Sequence, residues 1–205
     1  MAELSALDGL DPATLEAAGE DPVLLGERPF RTRLLLRGRP EALSAAGASL
    51  ELDLPSRVGG TATRGTLAAL WLGPDRIALL DEPGRERALL ARLEAALANL
   101  PGAIVDLGEA MTTFRLEGPA MAVRATLAEG CPLDLHPRSA PAGSAFASHY
   151  GKVAIWLHLL AAAPDRCSAE LHVERSFARH LARHLALAGR EHGFRLERRA
   201  RSLSA

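Results

Sequence analysis

The ten-residue segment EGCPLDLHPR (residues 129–138) brings a thiol, a carboxylate, an imidazole and a guanidinium close together in the chain. A cysteine and a histidine can form a nucleophilic pair when a third group orients the imidazole toward the thiol. Cys131, however, directly follows a predicted helix C-terminus, where the negative end of the helix dipole disfavours a thiolate. Two prolines stiffen the segment, as a docking loop would require. The sequence therefore favours a structural or partner-contact role for Cys131, Asp134 and His136 over catalysis.

A second candidate is a histidine pair on a predicted helix. His180 and His184 lie one turn apart, with His172 upstream, and imidazoles at this spacing can share a metal ion. The intervening residues lack the glutamate of the HExxH metalloprotease motif. On a helical wheel His184 falls on the apolar face and His180 at its edge. A buried or interface histidine explains this pattern more simply than a metal, so we predict no metal ligands.

Arginines and glycines offer little further chemistry. Arg179, Arg183 and Arg190 lie on the polar side of the same helix, where they form either a solvated face or an anchor for an acidic partner surface. The Gly-rich stretch at residues 57–65 matches neither a Walker loop nor a dinucleotide fingerprint. We therefore predict no catalytic residue and no cofactor-binding residue in this chain.

The amino-acid composition excludes several classes of protein. The chain has 205 residues, 48% hydrophobic and 24% charged, with a formal net charge of −1, which suits a soluble globular protein without a basic field for nucleic acid. The N-terminus lacks the pattern of a secretory signal, and no apolar run is long enough to span a membrane. Cys131 and Cys167 are expected to be reduced thiols, with a structural disulfide as the alternative. These features indicate a cytoplasmic protein.

Hydrophobic periodicity predicts the secondary structure. Residues 1–29 show little periodicity and are interpreted as an extended N-terminal arm, and residues 195–205 as a basic C-terminal tail. Residues 131–150 form an aperiodic loop of a length that usually marks function or binding. Between the arm and the tail, at 30–194, we predict one domain with strands at 30–38, 66–72, 76–80, 103–107, 111–118, 151–160 and 168–174, and helices at 83–101, 119–130 and 175–189.

The pattern of predicted elements contains a weak internal repeat, called the echo below. A hairpin followed by a helix occurs at residues 67–101 and again at 153–189, and both hairpin turns contain Pro-Asp-Arg. The echo predicts an α+β fold of antiparallel sheets with helices packed on one face, built by pseudo-duplication.

Several stretches together resemble the gamma subunit of heterotetrameric sarcosine oxidase, over roughly residues 25–195. The most specific is GCPLDLHP, within a set comprising Ala69–Asp75, Val105–Pro119, Leu127–Ser144, Tyr150–His158 and Glu174–Leu185. The resemblance implies a fold like that of the folate-binding aminomethyltransferase domain. It also implies a small, non-catalytic subunit of a bacterial cytoplasmic complex that oxidises sarcosine to glycine and passes the one-carbon unit to tetrahydrofolate.

In the family that the chain resembles, the cofactors belong to other subunits. A beta chain carries the flavins FAD and FMN, a large alpha chain carries NAD and the tetrahydrofolate domain, and a small delta chain binds zinc. The gamma chain holds none of these. Three positions depart from the family pattern, at Arg76-Ile77, at Glu109-Ala110-Met111 and at Tyr150. A related dehydrogenase of another N-methyl amine, such as N-methylglutamate, therefore remains an alternative.

The resemblance and the aperiodic segments together predict a docking surface. We expect the 131–150 loop and the N-terminal arm to lie on the large alpha subunit, with Asp134, His136, Arg138 and Lys152 as the polar contacts. Lys152 is the single lysine of the chain. The rival hypothesis is a free-standing folate-binding, aminomethyltransferase-like protein, which would need a buried carboxylate facing a pterin pocket.

Overall fold

The computed structural model describes residues 5–28, 30–162 and 165–197. Its strands and helices are, in chain order, α1 (Pro12–Leu15), β1 (Val23–Glu27), β2 (Thr32–Gly38), α2 (Pro40–Leu50), β3 (Thr61–Arg64), β4 (Leu67–Gly73), β5 (Arg76–Asp81), α3 (Glu86–Leu97), β6 (Gly102–Asp106), β7 (Met111–Pro119), α4 (Ala120–Ala128), β8 (Ala145–Tyr150), β9 (Val153–Ala162), β10 (Arg166–Glu174), α5 (Ala178–Gly189) and β11 (Phe194–Glu197). None of the described helices is long and apolar enough to cross a membrane.

The chain divides into two compact units, where the sequence predicted one domain over 30–194. Within the described residues, the first unit comprises 5–28, 112–142, 148–162 and 165–197, and the second comprises 30–111 and 143–147. Sequence periodicity predicts individual helices and strands but does not show which of them pack around the same core. It therefore could not distinguish the two units.

The second unit is built on a five-stranded sheet in the order β3-β4-β5-β2-β6. The predicted hairpin is present as β4 and β5, which pair antiparallel, and β2 pairs antiparallel with both β5 and β6. The helix predicted at 83–101 is present as α3, and its Leu89, Leu93 and Leu97 are buried against the sheet. The helix α2 has no counterpart among the predicted elements, and it adds Ala42, Ala46 and Leu50 to the same core.

The first unit contains a six-stranded sheet in the order β11-β1-β7-β10-β9-β8. The helix α4 packs against β10 and α5, and α5 also contacts β11. The helix α5 ends at Gly189, which lies against the ring of the fully buried Phe194. A Cβ atom at residue 189 would lie 2.6 Å from that ring, so a larger residue would require Phe194 to move.

The predicted pseudo-duplication is visible in the order of the elements. Apart from the additional strands β3 and β8, the second unit has the order β2-α2-β4-β5-α3-β6 and the first has β7-α4-β9-β10-α5-β11. Each therefore contains the βαββαβ order of ferredoxin-like domains. In the first unit β1 lies between the strands that would otherwise be neighbours, β11 and β7. The α+β class, the mainly antiparallel pairing and the repeated hairpin–helix unit are therefore confirmed.

The predicted N-terminal arm is wrong over β1. This strand pairs antiparallel with β7 and parallel with β11, and Val23 and Leu25 are fully buried. An arm lying on an external surface would leave these side chains for a partner to cover, whereas here the chain's own sheet covers them. Of the predicted tail, residues 195–197 belong to β11, and residues 198–205 lie outside the described part of the chain.

The predicted 131–150 loop is shorter than expected. Its last six residues form β8, an edge strand of the six-stranded sheet, so the aperiodic segment covers residues 131–144 only. The strand was missed because its apolar residues do not alternate clearly with polar ones.

Candidate partner-binding surface

The segment at residues 131–144, called the docking loop below, begins where α4 ends. The amide of Cys131 donates to the carbonyl oxygen of Leu127 (2.9 Å), and the amide of Gly151 donates to the carbonyl oxygen of Gly130 (2.7 Å). The second bond joins the base of the docking loop to the turn between β8 and β9. These two backbone hydrogen bonds fix the base of the loop.

Buried residues anchor the middle of the docking loop. Cys131, Leu135 and Ala140 are 3%, 6% and 0% exposed, respectively. The guanidinium of Arg124 on α4 donates a hydrogen bond to the carbonyl oxygen of Leu135. This spacing of apolar anchors does not match a helix or a strand, which explains why the sequence showed no period here.

Asp134 holds the loop together from inside. One carboxylate oxygen accepts the amide of His136 (3.0 Å), and the other accepts the hydroxyl of Ser139. These two bonds, the Ser139 bond first, lower the pKa of the Asp134 carboxyl. The ring Nδ1 of His136 in turn accepts the amide of Arg138 (3.2 Å). The loop conformation is thus set by its own polar side chains, as in an Asx turn.

The four residues predicted as partner contacts are all exposed. Asp134, His136 and Arg138 share the docking loop, and Lys152 directly follows Gly151, which is bonded to the base of that loop. The exposed side chains of these four residues are called the loop surface. Two of them, Asp134 and His136, already have partners within the loop, whereas Arg138 contributes only its amide to the loop hydrogen bonds described above.

The cysteine–histidine pair considered above is not assembled in the described residues. The Cys131 thiol is buried and lies 3.6 Å from the hydroxyl of Ser148, while the His136 ring is bonded to the amide of Arg138. Both cysteines are free and buried, and burial raises the pKa of the Cys167 thiol.

The histidine pair on α5 lies at the surface. His180 and His184 are both exposed, with their ring centroids 4.3 Å apart. The helical wheel placed His184 on the apolar face, and this prediction is wrong because Leu181, Ala182 and Leu185 supply the buried face instead. The arginines Arg179, Arg183 and Arg190 are exposed, as a solvated face requires.

The second unit contains an open groove of about 620 Å³ between α2 and residues 51–56. Its floor includes Leu43 and Trp71, and its carboxylates are Glu51 and Asp53, both exposed. Glu51 is paired with Arg64 and Arg92. This groove therefore lacks the buried carboxylate that the rival folate-binding hypothesis requires.

Sequence reasoning missed the residues that position the docking loop. Arg124, Ser148 and Tyr150 all contact it or its base, yet they come from α4 and β8, outside the loop itself. The available signal was the family departure at Tyr150, an aromatic residue beside Gly151, but one residue could not identify its partners.

Comparison with known proteins places the chain among oxidase subunits. Residues 38–191 match the model of the family described as sarcosine oxidase, gamma subunit family. The sarcosine oxidase subunit gamma of Corynebacterium sp. (strain U-96) is 43% identical over 127 residues, which are 60% of this chain and 60% of that protein. The subunit gamma of Arthrobacter sp. is 33% identical over 157 residues, 75% of each chain.

Solved structures extend the similarity. A chain of the heterotetrameric sarcosine oxidase from Corynebacterium sp. U-96, in complex with pyrrole 2-carboxylate, matches with a TM-score of 0.77 and 33% identity over 94% of this chain and 97% of that one. The glycine cleavage system aminomethyltransferase T from Bartonella henselae matches with a TM-score of 0.60 and 18% identity, over 90% of this chain and 49% of that one. The second likeness is one of fold, as the sequence resemblance implied.

Proposed function

Because the chain belongs to the sarcosine oxidase gamma subunit family, we propose that it is a small, non-catalytic subunit of a sarcosine oxidase-like flavoenzyme complex. The complex oxidatively demethylates sarcosine to glycine and transfers the one-carbon unit to tetrahydrofolate in the bacterial cytoplasm. Its alpha, beta and delta subunits carry FAD, FMN, NAD, tetrahydrofolate and zinc.

One observation carries the proposal. The match to a chain of a heterotetrameric sarcosine oxidase extends over 94% of this chain and 97% of the other. Near-complete coverage in both directions supports the proposal that this chain has the same place in its complex as that subunit.

The loop surface is the proposed contact with the large alpha subunit. Its loop is held by buried anchors and by the Asp134 bonds, so little conformational freedom is lost when a partner binds. Arg138 and Lys152 supply the cations for partner carboxylates, while Asp134 and His136 keep the loop in shape. An obligate interface of this kind buries on the order of 2,000 Å² or more, and the loop surface would form part of it.

The test is assembly with the partner subunits. The chain is coexpressed with the alpha, beta and delta reading frames of the same genome, and co-purification is measured for Arg138→Glu combined with Lys152→Glu. We expect loss of co-purification. The matched control is Arg57→Glu, which reverses an exposed arginine of the second unit and should assemble normally. Undiminished assembly of the double variant would reject the loop surface as the contact.

The parent activity is tested separately. The purified complex is supplied with sarcosine and with N-methylglutamate, and we expect flavin reduction by sarcosine. Preferential reduction by N-methylglutamate would place the complex with the related dehydrogenases. Stoichiometric binding of tetrahydrofolate to this chain alone would favour the rival folate-binding protein.

A further inference from the structure

Three potential metal ligands meet on one face of the six-stranded sheet. In the antiparallel pair β9–β10, His158 lies directly opposite Glu170, and His172 follows Glu170 by two residues. Side chains two residues apart on a strand share a face, and directly opposed residues have their Cβ atoms about 5 Å apart. The backbone register therefore brings two imidazoles and one carboxylate to the same place.

The side chains also converge. One ligand atom from each of the three residues lies within 4.8 Å of the other two, and Nε2 of His172 is 3.7 Å from a carboxylate oxygen of Glu170. Ligand atoms around a tetrahedral zinc ion are separated by roughly 3.4 Å, given zinc–ligand bonds near 2.0–2.1 Å. Small rotations of the side chains would close this difference without moving the strands.

A neighbouring strand orients one of the imidazoles. Nδ1 of His172 lies 2.8 Å from the hydroxyl oxygen of Thr113 on β7. When Nδ1 carries the proton and donates it to Thr113, the lone pair of Nε2 is directed to the side on which Glu170 lies. Metal-bound histidines usually have such a hydrogen bond on the second ring nitrogen, which fixes the ring and its tautomer.

The cluster is largely buried. His172 is fully buried and Glu170 is 7% exposed, whereas His158 is half-buried. Buried carboxylates are stable when they are paired or coordinate a metal. The partial exposure of His158 gives an ion a route to the cluster.

We propose that His158, Glu170 and His172 form a binding site for a divalent transition-metal ion of the zinc type. Two nitrogen ligands and one oxygen ligand suit Zn²⁺, and three protein ligands leave a fourth position for water or another ligand. The ion joins β9 to β10, and Thr113 is a positioning residue. The proposal is independent of the proposed function, and it departs from the expectation that the chain has no metal ligands.

The test is a Co²⁺ titration of the metal-free full chain, followed by visible absorption. We expect one Co²⁺ per chain, with the absorption of a low-coordinate nitrogen and oxygen site, and displacement by Zn²⁺. His158→Gln and Glu170→Gln should each weaken binding at least tenfold, and Thr113→Val about 10- to 100-fold. Circular dichroism without metal establishes that each variant is folded, and the half-buried His158 makes His158→Gln the safest of them.

The matched control uses the other histidine pair. His180→Gln combined with His184→Gln removes two exposed imidazoles one helical turn apart, which could themselves bind Co²⁺ weakly. This variant should retain wild-type binding. The proposal is overturned if the full chain binds no Co²⁺, if folded His158→Gln binds with wild-type affinity, or if the His180/His184 variant loses the site.

Discussion

The ring of Tyr150 packs directly on Gly130, and the Tyr150 hydroxyl donates a 2.7 Å hydrogen bond to the carbonyl oxygen of Thr126. A Cβ atom at residue 130 would lie 2.7 Å from the Tyr150 ring, closer than real carbon contacts allow. This contact joins the end of α4 to the end of β8, immediately beside the docking loop. A side chain at residue 130 would therefore require the Tyr150 ring to shift.

Gly130→Ala should lower the free energy of unfolding by about 1–3 kcal/mol, because the buried Tyr150 ring must shift to admit the methyl group. Tyr150→Leu removes the ring, so the cost of Gly130→Ala should be smaller in that background. Chemical denaturation of the two single variants and the double variant measures the coupling. Additive effects would mean that the Gly130–Tyr150 contact does not constrain the loop.

The same tyrosine should make stability fall at high pH. Burial, followed by the charge of Glu129, raises the pKa of the Tyr150 phenol. The folded-state pKa therefore exceeds the unfolded value near 10, so the stabilisation is complete below about pH 10 and is lost as the pH rises above it. The slope should approach about 1.4 kcal/mol per pH unit roughly one unit above that value, where the unfolded phenol is almost fully ionised.

Tyr150→Phe should remove this part of the pH dependence. Tyr150 is the single tyrosine of the chain, so near-ultraviolet absorbance reports its ionisation directly. The decline that remains should include the Cys167 thiol, whose pKa is also raised by burial and whose effect has the same sign. An unchanged slope in Tyr150→Phe would contradict the assignment to the phenol.

Leu25 distinguishes an internal strand from an external arm. The side chain is fully buried in β1, so Leu25→Ala should lower the free energy of unfolding by about 2–5 kcal/mol, measured by chemical denaturation of the chain alone. Leu24→Ala, on the other face of the strand and only partly buried, should cost less. If instead Leu25→Ala left the isolated chain as stable as wild type and impaired only assembly, β1 would be an arm after all.

The sequence was sufficient where structure depends on neighbours along the chain. The β4–β5 hairpin and α3 have strong local periods, and both were found within a few residues of their ends. The strands β1 and β11 are short and pair with strands far away in the sequence, so local pattern could not identify them. The strand β8 pairs with the next strand, β9, and was missed because its apolar residues do not alternate clearly with polar ones. The helix α2 is rich in small residues and lacks a leucine stripe, which hid its buried face.

The candidate sites likewise contain features that local sequence predicts and features that depend on residues distant in the chain. The loop at residues 131–144 was predicted from its prolines and its missing period. Its four predicted contact residues are exposed, and their role as partner contacts stays a prediction. Its internal hydrogen bonds were not foreseen, because the pairing of Asp134 with Ser139 depends on the path of the loop. The cluster of His158, Glu170 and His172 could not be seen at all without the register of β9 against β10, which sets His158 opposite Glu170.

Variants of the hydrogen bonds inside the docking loop can distinguish residues that maintain the loop conformation from residues that contact the partner. Asp134→Ala and Ser139→Ala break the same hydrogen bond, so both should weaken co-purification with the alpha subunit to a similar degree, and the double variant should be no worse than either. Arg138→Ala should weaken assembly further in any of these backgrounds, because we propose that its side chain contacts the partner and does not shape the loop. Because the pKa of Asp134 is lowered in the folded chain, its support of the loop is present above the ordinary carboxyl pKa and is lost as the pH falls through the lowered value.

Hydrogen exchange of the His136 amide, which donates to Asp134, should accelerate in Asp134→Ala and stay at the wild-type rate in Arg138→Ala. Equal acceleration in both variants would show that Arg138 also shapes the loop, and its proposed role as a contact would then fail.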